Sequence, residues 1–305
     1  MAGKIIVIGS LNMDLVVFTP RFPKIGETIL GSSFSTFCGG KGANQAVAMA
    51  RLGADVQMIG KIGKDEFGQT LLENLTANQV QTESVLEAEA QSGTAIITVD
   101  ALGQNTIVVI PGANRELKPE DIYCLRETIQ HSDYLVMQLE IPMETVVAAA
   151  KLAYESGVKI IVNPAPASDL PDDLYPLVDY LIPNESELSI LSNLPVTTIE
   201  EVKAACAVLL QRGIKNLVVT MGEQGVFYRG EDQEISISAY PVQPVDTTAA
   251  GDAFIGGFVT ALAAGLPIQT ILNRASASGA ISVTRQGAQT SLPYDHEVDQ
   301  FLKVR

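Results

Sequence analysis

Residues 245–258, VDTTAAGDAFIGGF, set an acid, Asp252, directly after two alanines and Gly251, where an apolar run marks the start of a helix. Gly251 has no Cβ to keep a ligand off the backbone, and a helix N-terminus offers unpaired N–H donors and partial positive charge. Such an end suits an anion, above all a phosphate. A carboxylate in the same turn would repel a phosphate, so a turn that only bound one has no use for it. It has a use if a hydroxyl must lose a proton while attacking phosphorus, and Asp252 then reads as a general base. An acid that merely complements the helix dipole is the commoner meaning of this pattern taken alone, so the reading depends on its company.

Other polar groups are spaced to join it. Asn12 and Asp14 follow one apolar strand and Glu140 follows another. If the strands are parallel, their ends share an edge, and carboxylates there could accept from the vicinal hydroxyls of a polyhydroxylated ligand. Each acid taken singly is more simply a solvated strand end. Residues 38–45, CGGKGANQ, open a helix but fit neither common nucleotide loop: no Ser or Thr follows Lys41, and Gln45 stands where a dinucleotide fingerprint needs glycine. The stretch is either a glycine turn with an N-cap or a loop where Lys41 and Asn44 bond a small polar ligand. Asn184 and Glu187 have capping-box spacing, and the same spacing could hold water of a hydrated Mg²⁺. Residues 220–225, TMGEQG, end a strand as a turn or as a nucleotide contact. Asn163-Pro164-Ala165-Pro166 reads as a rigid loop on the same edge.

The elements that must position these groups follow from periodicity. Strands are expected at 4–8, 56–59, 134–139, 159–162, 180–182 and 216–220, and helices at 43–52, 145–156, 199–212, 250–264 and 276–283. That alternation predicts a parallel sheet with helices on both faces. An antiparallel pair, 225–228 with 234–237, leads into the Asp252 segment. Two excursions break the pattern: short strands at 15–18 and 28–37, separated by Pro20, Pro23 and Gly26, and a hairpin of 94–99 with 106–110. They predict a small sheet outside the main one.

Composition excludes several classes. A chain of 305 residues can bury a sizeable core, and a net charge of −15 argues against broad binding to nucleic acid or anionic membrane. The first apolar run is too short for a signal peptide and none later reaches membrane-spanning length, so a cytoplasmic protein is expected. Cys38, Cys124 and Cys206 lack zinc or disulfide spacing, and His131 and His296 lack metal-site or triad company.

In the order of these motifs the chain resembles the ribokinase family of sugar and nucleoside kinases, over about 5–302. The most specific pieces are 39–45, GGKGANQ, and 246–252, DTTAAGD. The resemblance implies a ribokinase-like three-layer α/β sandwich with a mainly parallel central sheet. It implies one domain over 1–305, with a β lid inserted from about 14–37 and 93–112, and lids that pair into a homodimer. Asp252 would be the base, and Ala249, Ala250 and Gly251 an anion hole for the γ-phosphate of ATP. Sugar contacts carry over to Asn12, Asp14, Gly40, Lys41, Asn44 and Glu140, and nucleotide contacts to Asn184, Thr220, Gly222, Gly225 and Ser276. Glu187 would belong to the Mg²⁺ and phosphate network. A potassium-activated loop would match Asp246, Thr248, Ser282, Arg285, Gly287 and Ser291, several through backbone carbonyls. Cys38 and Ser276 depart from the family pattern without touching its chemistry.

The reaction so implied is ATP-dependent phosphorylation of D-ribose at O5. Rival readings are a family kinase acting on fructose, a deoxysugar or a nucleoside, and a sensor that binds sugar or nucleotide without turnover. An NAD-dependent oxidoreductase is more distant, because the glycine turn it needs is missing.

Overall fold

β1 (Ile5–Ile8) is apolar at every position because both its faces are buried: Ile6 and Ile8 enter one core cluster, Ile5 and Val7 the other. This is the burial expected of a strand covered by helices on both sides. The structure, a computed structural model, describes residues 3–304. After β1 the chain forms β2 (Asn12–Phe18), β3 (Ser33–Gly39), α1 (Lys41–Arg51), β4 (Val56–Gly63), α2 (Glu66–Ala77), β5 (Gln81–Ala88), β6 (Gly93–Val99) and β7 (Asn105–Ile110). Then come α3 (Pro119–Cys124), α4 (Arg126–Gln130), β8 (Tyr134–Met137), α5 (Met143–Glu155), β9 (Lys159–Val162), β10 (Tyr180–Leu181), α6 (Glu185–Ser192) and α7 (Ile199–Gln211). The chain ends with β11 (Asn216–Thr220), β12 (Val226–Arg229), β13 (Glu234–Ile237), α8 (Ala250–Ala263), α9 (Ile268–Ser282) and α10 (Asp295–Lys303).

Nine strands make the main sheet, in the order β13-β12-β11-β10-β9-β8-β1-β4-β5. From β11 to β5 all pairs are parallel, and β12 and β13 form an antiparallel edge. Helices α1, α2, α8 and α9 supply residues to one core face, and α3 to α7 to the other. Ile5 pairs with Val56 on one side and with Tyr134 on the other. The chain therefore leaves β1 first toward β4 and later toward β8, and the strand order reverses there. In open α/β sheets, ligands bind beyond the carboxyl ends of the strands at such a reversal.

The second sheet, β3-β2-β6-β7, joins both predicted excursions. Its bounds differ from expectation. Asn12 and Asp14 are not loop residues after β1 but lie within β2, while 28–32 form no strand; Ser32 instead bonds the Phe18 carbonyl through its N–H and its hydroxyl. Elements α2, β5, α3 and α4 were not marked by periodicity. β5 is half exposed, and α3 and α4 are single turns or little more.

Two glycines fix where α8 lies. A Cβ on Gly256 would collide with the Ala48 side chain on α1, and one on Gly257 would stand 2.6 Å from the Ser278 hydroxyl on α9. Even one methyl there would push the helices apart, at a cost of about 1–3 kcal/mol. Residues four apart share a helix face. The crossing of Gly256 on Ala48 therefore sets Asp252 against Asn44 one turn away.

Candidate active site

Ala249 precedes α8 with a left-handed φ of 58° and accepts the Ala253 N–H at 2.8 Å. A non-glycine residue in that region is strained, and such strain clusters at functional sites. The Ala250 N–H donates to the Thr247 carbonyl at 3.2 Å, whereas those of Gly251 and Asp252 meet no acceptor among the described residues. A Cβ on Gly251 would touch nothing within 4 Å, so neither packing nor φ requires glycine there. What the missing side chain leaves open is the approach to the first turn.

The Asp252 carboxylate is 7% exposed. Its Oδ2 accepts from Asn44 Nδ2 at 2.9 Å and its Oδ1 from Gln45 Nε2 at 2.9 Å. Burial raises its pKa, Lys41 and the two amides oppose the shift, Glu140 adds to it, and the net direction is upward. Burial pulls the Lys41 ammonium down, but Asp252, Glu140 and Glu187 outweigh it and hold it above its ordinary value.

Around this pair lie the strand-end groups. Glu140 Oε2 accepts from the Ser10 hydroxyl and, at 3.1 Å, from the Lys41 backbone N–H at the start of α1. Asn12 Oδ1 accepts from Asn114 Nδ2 at 2.8 Å, which orients its amide. The Asp14 carboxylate lies against Gly39, where any side chain would displace it. Burial, Glu140 and Asp252, in that order, push Asp14 up to about 7. Gly40, with φ 88°, turns the chain so tightly that a Cβ would stand 2.7 Å from the Asn12 N–H nitrogen. The structure thus brings Asn12, Asp14, Gly40, Lys41, Asn44, Glu140 and Asp252 together.

A second group lies along the sheet edge. Asn184 caps α6, and its side chain and that of Glu187 bond each other's N–H in a capping box, at 2.8 and 2.9 Å. Asn184 also bridges Thr220 at the end of β11. Burial raises Glu187, with its Asn184 bond and Lys41 opposing. Both its oxygens already accept from Asn184, which fits a carboxylate that holds water near a hydrated ion rather than a direct metal ligand. Among the described residues no cluster of three His, Cys, Asp or Glu side chains could hold a metal. Gly222 begins the turn after β11 with φ 50°. Gly225 has a structural reason to be glycine, because a Cβ there would collide with the Ile237 carbonyl. Ser276 lies one turn before Gly279, whose Cα faces the Ala250 carbonyl at the start of α8.

The third group is a loop under α8. Asp246 accepts the N–H groups of Thr248 and Gly287, each at 2.9 Å, and these bonds outweigh burial and hold its pKa low. The Ser282 and Ser291 hydroxyls are fully buried and 2.8 Å apart. Arg285 turns its guanidinium away, onto Glu297, so it could offer a cation only its carbonyl. Both Asp246 oxygens are thus engaged by backbone N–H groups, and the loop gathers oxygen-bearing side chains without a histidine or cysteine.

Several participants carried no signal as site residues. Ser10 acts only because the exit of β1 meets Glu140 and α1, and Asn114 only because the turn after β7 meets Leu11 and Asn12. Gln45 lies inside the glycine motif, where its spacing marked it only as a residue that is not glycine. Gln138 sits at the exit of β8, two residues before Glu140.

A parallel α/β sheet carrying a buried carboxylate in the first turn of a helix, with Asn12, Asp14 and Glu140 gathered near it, suits a phosphotransferase acting on alcohols. Residues 2–295 match the pfkB family carbohydrate kinase profile, and the chain belongs to that family. It is similar to the ribokinase of Bacillus subtilis (strain 168), at 45% identity over 98% of this chain and 99% of that one. It is 39% identical to the deoxyribokinase of Salmonella typhi over 98% and 99%. Among solved structures, Arabidopsis thaliana ribokinase complexed with ribose and ATP superposes with a TM-score of 0.93 at 32% identity, over 99% of each chain.

The raised Asp14 gives a pH test. Below its ordinary value of 3.8 the group is protonated in both folded and unfolded chains and contributes nothing. As pH rises from there to about 7, the unfolded chain loses the proton and the folded one keeps it, so stability falls; above about 7 the penalty is complete. Asp14→Asn is expected to unfold like the wild type near pH 4 and to be more stable by roughly 1–3 kcal/mol near pH 8. Urea unfolding of both proteins across pH checks this, and equal stability at the upper end contradicts it.

Proposed function

We propose that this chain transfers the γ-phosphoryl group of ATP to O5 of D-ribose, giving D-ribose 5-phosphate. The observation that carries the reading is Asp252: a buried carboxylate, held on both oxygens by amides, next to free backbone N–H groups and an open approach at Gly251. Asp252 takes the proton of the primary hydroxyl as it attacks, a contribution on the order of 10²–10⁴ in rate. Ala249, Ala250 and Gly251 receive the charge that develops on the phosphoryl oxygens, where one such donor contributes about 3 kcal/mol. The Ala250 N–H must leave Thr247 to take part.

Asp14 and Glu140 accept from sugar hydroxyls, and Asn12, Lys41 and Asn44 fix their orientation, with Gly40 making room. Asn44 Oδ1 is buried without a donor, and a sugar hydroxyl supplies one. Asn184, Thr220, Gly222, Gly225 and Ser276 line the nucleotide side. Glu187 would hold water of a nucleotide-bound Mg²⁺, which would supply charge neutralisation to the phosphates when bound. Asp246, Thr248, Ser282, Arg285, Gly287 and Ser291 would hold a potassium ion, which would supply positive charge to the site when bound.

The protein acts in the cytoplasm; among the described residues no helix is long and apolar enough to cross a membrane. It works as a homodimer through the lid. All six residues of β7 are exposed, and this strand is an open edge carrying Ile107, Val108, Val109 and Ile110. Long apolar edges of that kind are normally covered. Sedimentation at micromolar concentration is expected to give a dimer that Val108→Lys dissociates; a monomeric wild type contradicts the lid contact.

ADP release from Mg²⁺-ATP, measured with D-ribose, 2-deoxy-D-ribose, fructose and adenosine in potassium and in sodium buffer, tests the rest. Turnover is expected to be fastest with D-ribose and to fall when sodium replaces potassium. Preference for 2-deoxy-D-ribose overturns the acceptor while leaving the base in place, and ligand binding without ADP from any acceptor favours a sensor.

A further inference from the structure

Two buried amides stand in line behind Asp252, and only the first of them touches it. Gln45 and Gln138 are both fully buried. Gln45 Nε2 donates to Asp252 Oδ1 at 2.9 Å and to Asn163 Oδ1 at 3.2 Å, and Asn163 is itself tied by its Nδ2 to the Ile182 carbonyl at 3.0 Å. Gln138 Nε2 donates to Gln45 Oε1 at 2.5 Å. An ionised carboxylate only accepts, so Gln45 must turn its nitrogen to Asp252 and its oxygen to Gln138. Gln138 can answer only with nitrogen. Its own Oε1 is then left buried and without a donor, in space that exists because Gly9 has no side chain.

An unpaired buried acceptor lowers stability, so Gln138 is a poor choice for the fold as such. Its donor end nevertheless joins Asn163 and the carboxylate in fixing which way the next amide faces. If Gln45 turned over, its oxygen would confront Oδ1 of Asp252 and repel it. We propose that Gln138 and Gln45 form an amide relay that holds the Asp252 carboxylate ionised and oriented for proton transfer, each acting as a positioning residue. The inference rests on the reading of Asp252 as the base.

Other charged groups also face Asp252 and remain in place when the relay is changed: Lys41 on α1, Asp14 on β2, Glu140 after β8 and Glu187 on α6. A donor to the ionised form lowers a carboxyl pKa, so losing the donor raises it, and a base then fails at a higher pH. Asp14 titrates in the free protein as well, so the rate is best read with sugar saturating and Asp14 engaged.

The test is the single-turnover rate of phosphoryl transfer from Mg²⁺-ATP to saturating D-ribose, followed from about pH 5 to pH 9, for the wild type, Gln45→Leu and Gln138→Met. In both variants the acid limb is expected to move up by about one pH unit, a roughly tenfold loss on its lower side. The rate should recover toward that of the wild type at high pH. Gln138→Met exchanges the orphan Gln138 oxygen for an unpaired Gln45 Oε1, so it should melt near the wild type, and it keeps the test open if Gln45→Leu fails to fold. A variant whose limb stays in place, or whose rate falls equally at all pH, overturns the relay. A wild type with no acid limb, or no transfer to D-ribose, overturns the base or acceptor reading instead.

Discussion

A carboxylate nearly excluded from water must be compensated where it stands, and the compensation of Asp252 organises the ends of α1, α8 and β8. Asn44 and Gln45 hold its two oxygens from consecutive positions on α1, and Lys41 supplies opposite charge one turn earlier. They meet it because Gly256 lets α8 settle on Ala48. The first turn of α8, with its unengaged N–H groups, is thereby fixed at the point where strand order reverses. Packing four residues away from the chemistry sets the geometry of the chemistry.

The same neighbourhood gathers negative charge in a chain that already carries −15. Asp252, Glu140 and Glu187 surround the Lys41 ammonium, and each of Asp14, Glu187 and Asp252 is displaced upward by burial first. Crowded acids destabilise the empty protein. On the proposed reading, Asp14 and Glu140 become useful when sugar hydroxyls donate to them, and part of the binding free energy then relieves strain already present. On the proposed reading phosphate has no basic stripe to land on and is received by backbone dipoles at the first turn of α8.

Much of this was legible in the chain. β9, β11 and β13 lie where alternation and apolar runs put them, because strands buried in a sheet have little freedom of composition. The capping box of Asn184 and Glu187 and the lid hairpin were readable for similar local reasons. What stayed hidden depends on long-range placement. Asn12 and Asp14 read as loop residues, since nothing local says that the chain leaves one sheet and enters another within four residues. Asn114 and Gln138 carry no motif, and only the folded chain brings them to Asn12 and Gln45. The roles assigned to the cation loop came from family resemblance alone; its spacing shows a carboxylate and two serines and no more.

The central claim is that Asp252 removes the proton and does little else for binding. Comparing Asp252→Asn with the wild type, turnover by ADP release and D-ribose affinity by calorimetry, tests it most directly. Turnover is expected to fall by at least a few hundredfold, within the range on the order of 10²–10⁴ for a positioned base, while affinity stays within a few-fold. Near-normal turnover in that variant would contradict it.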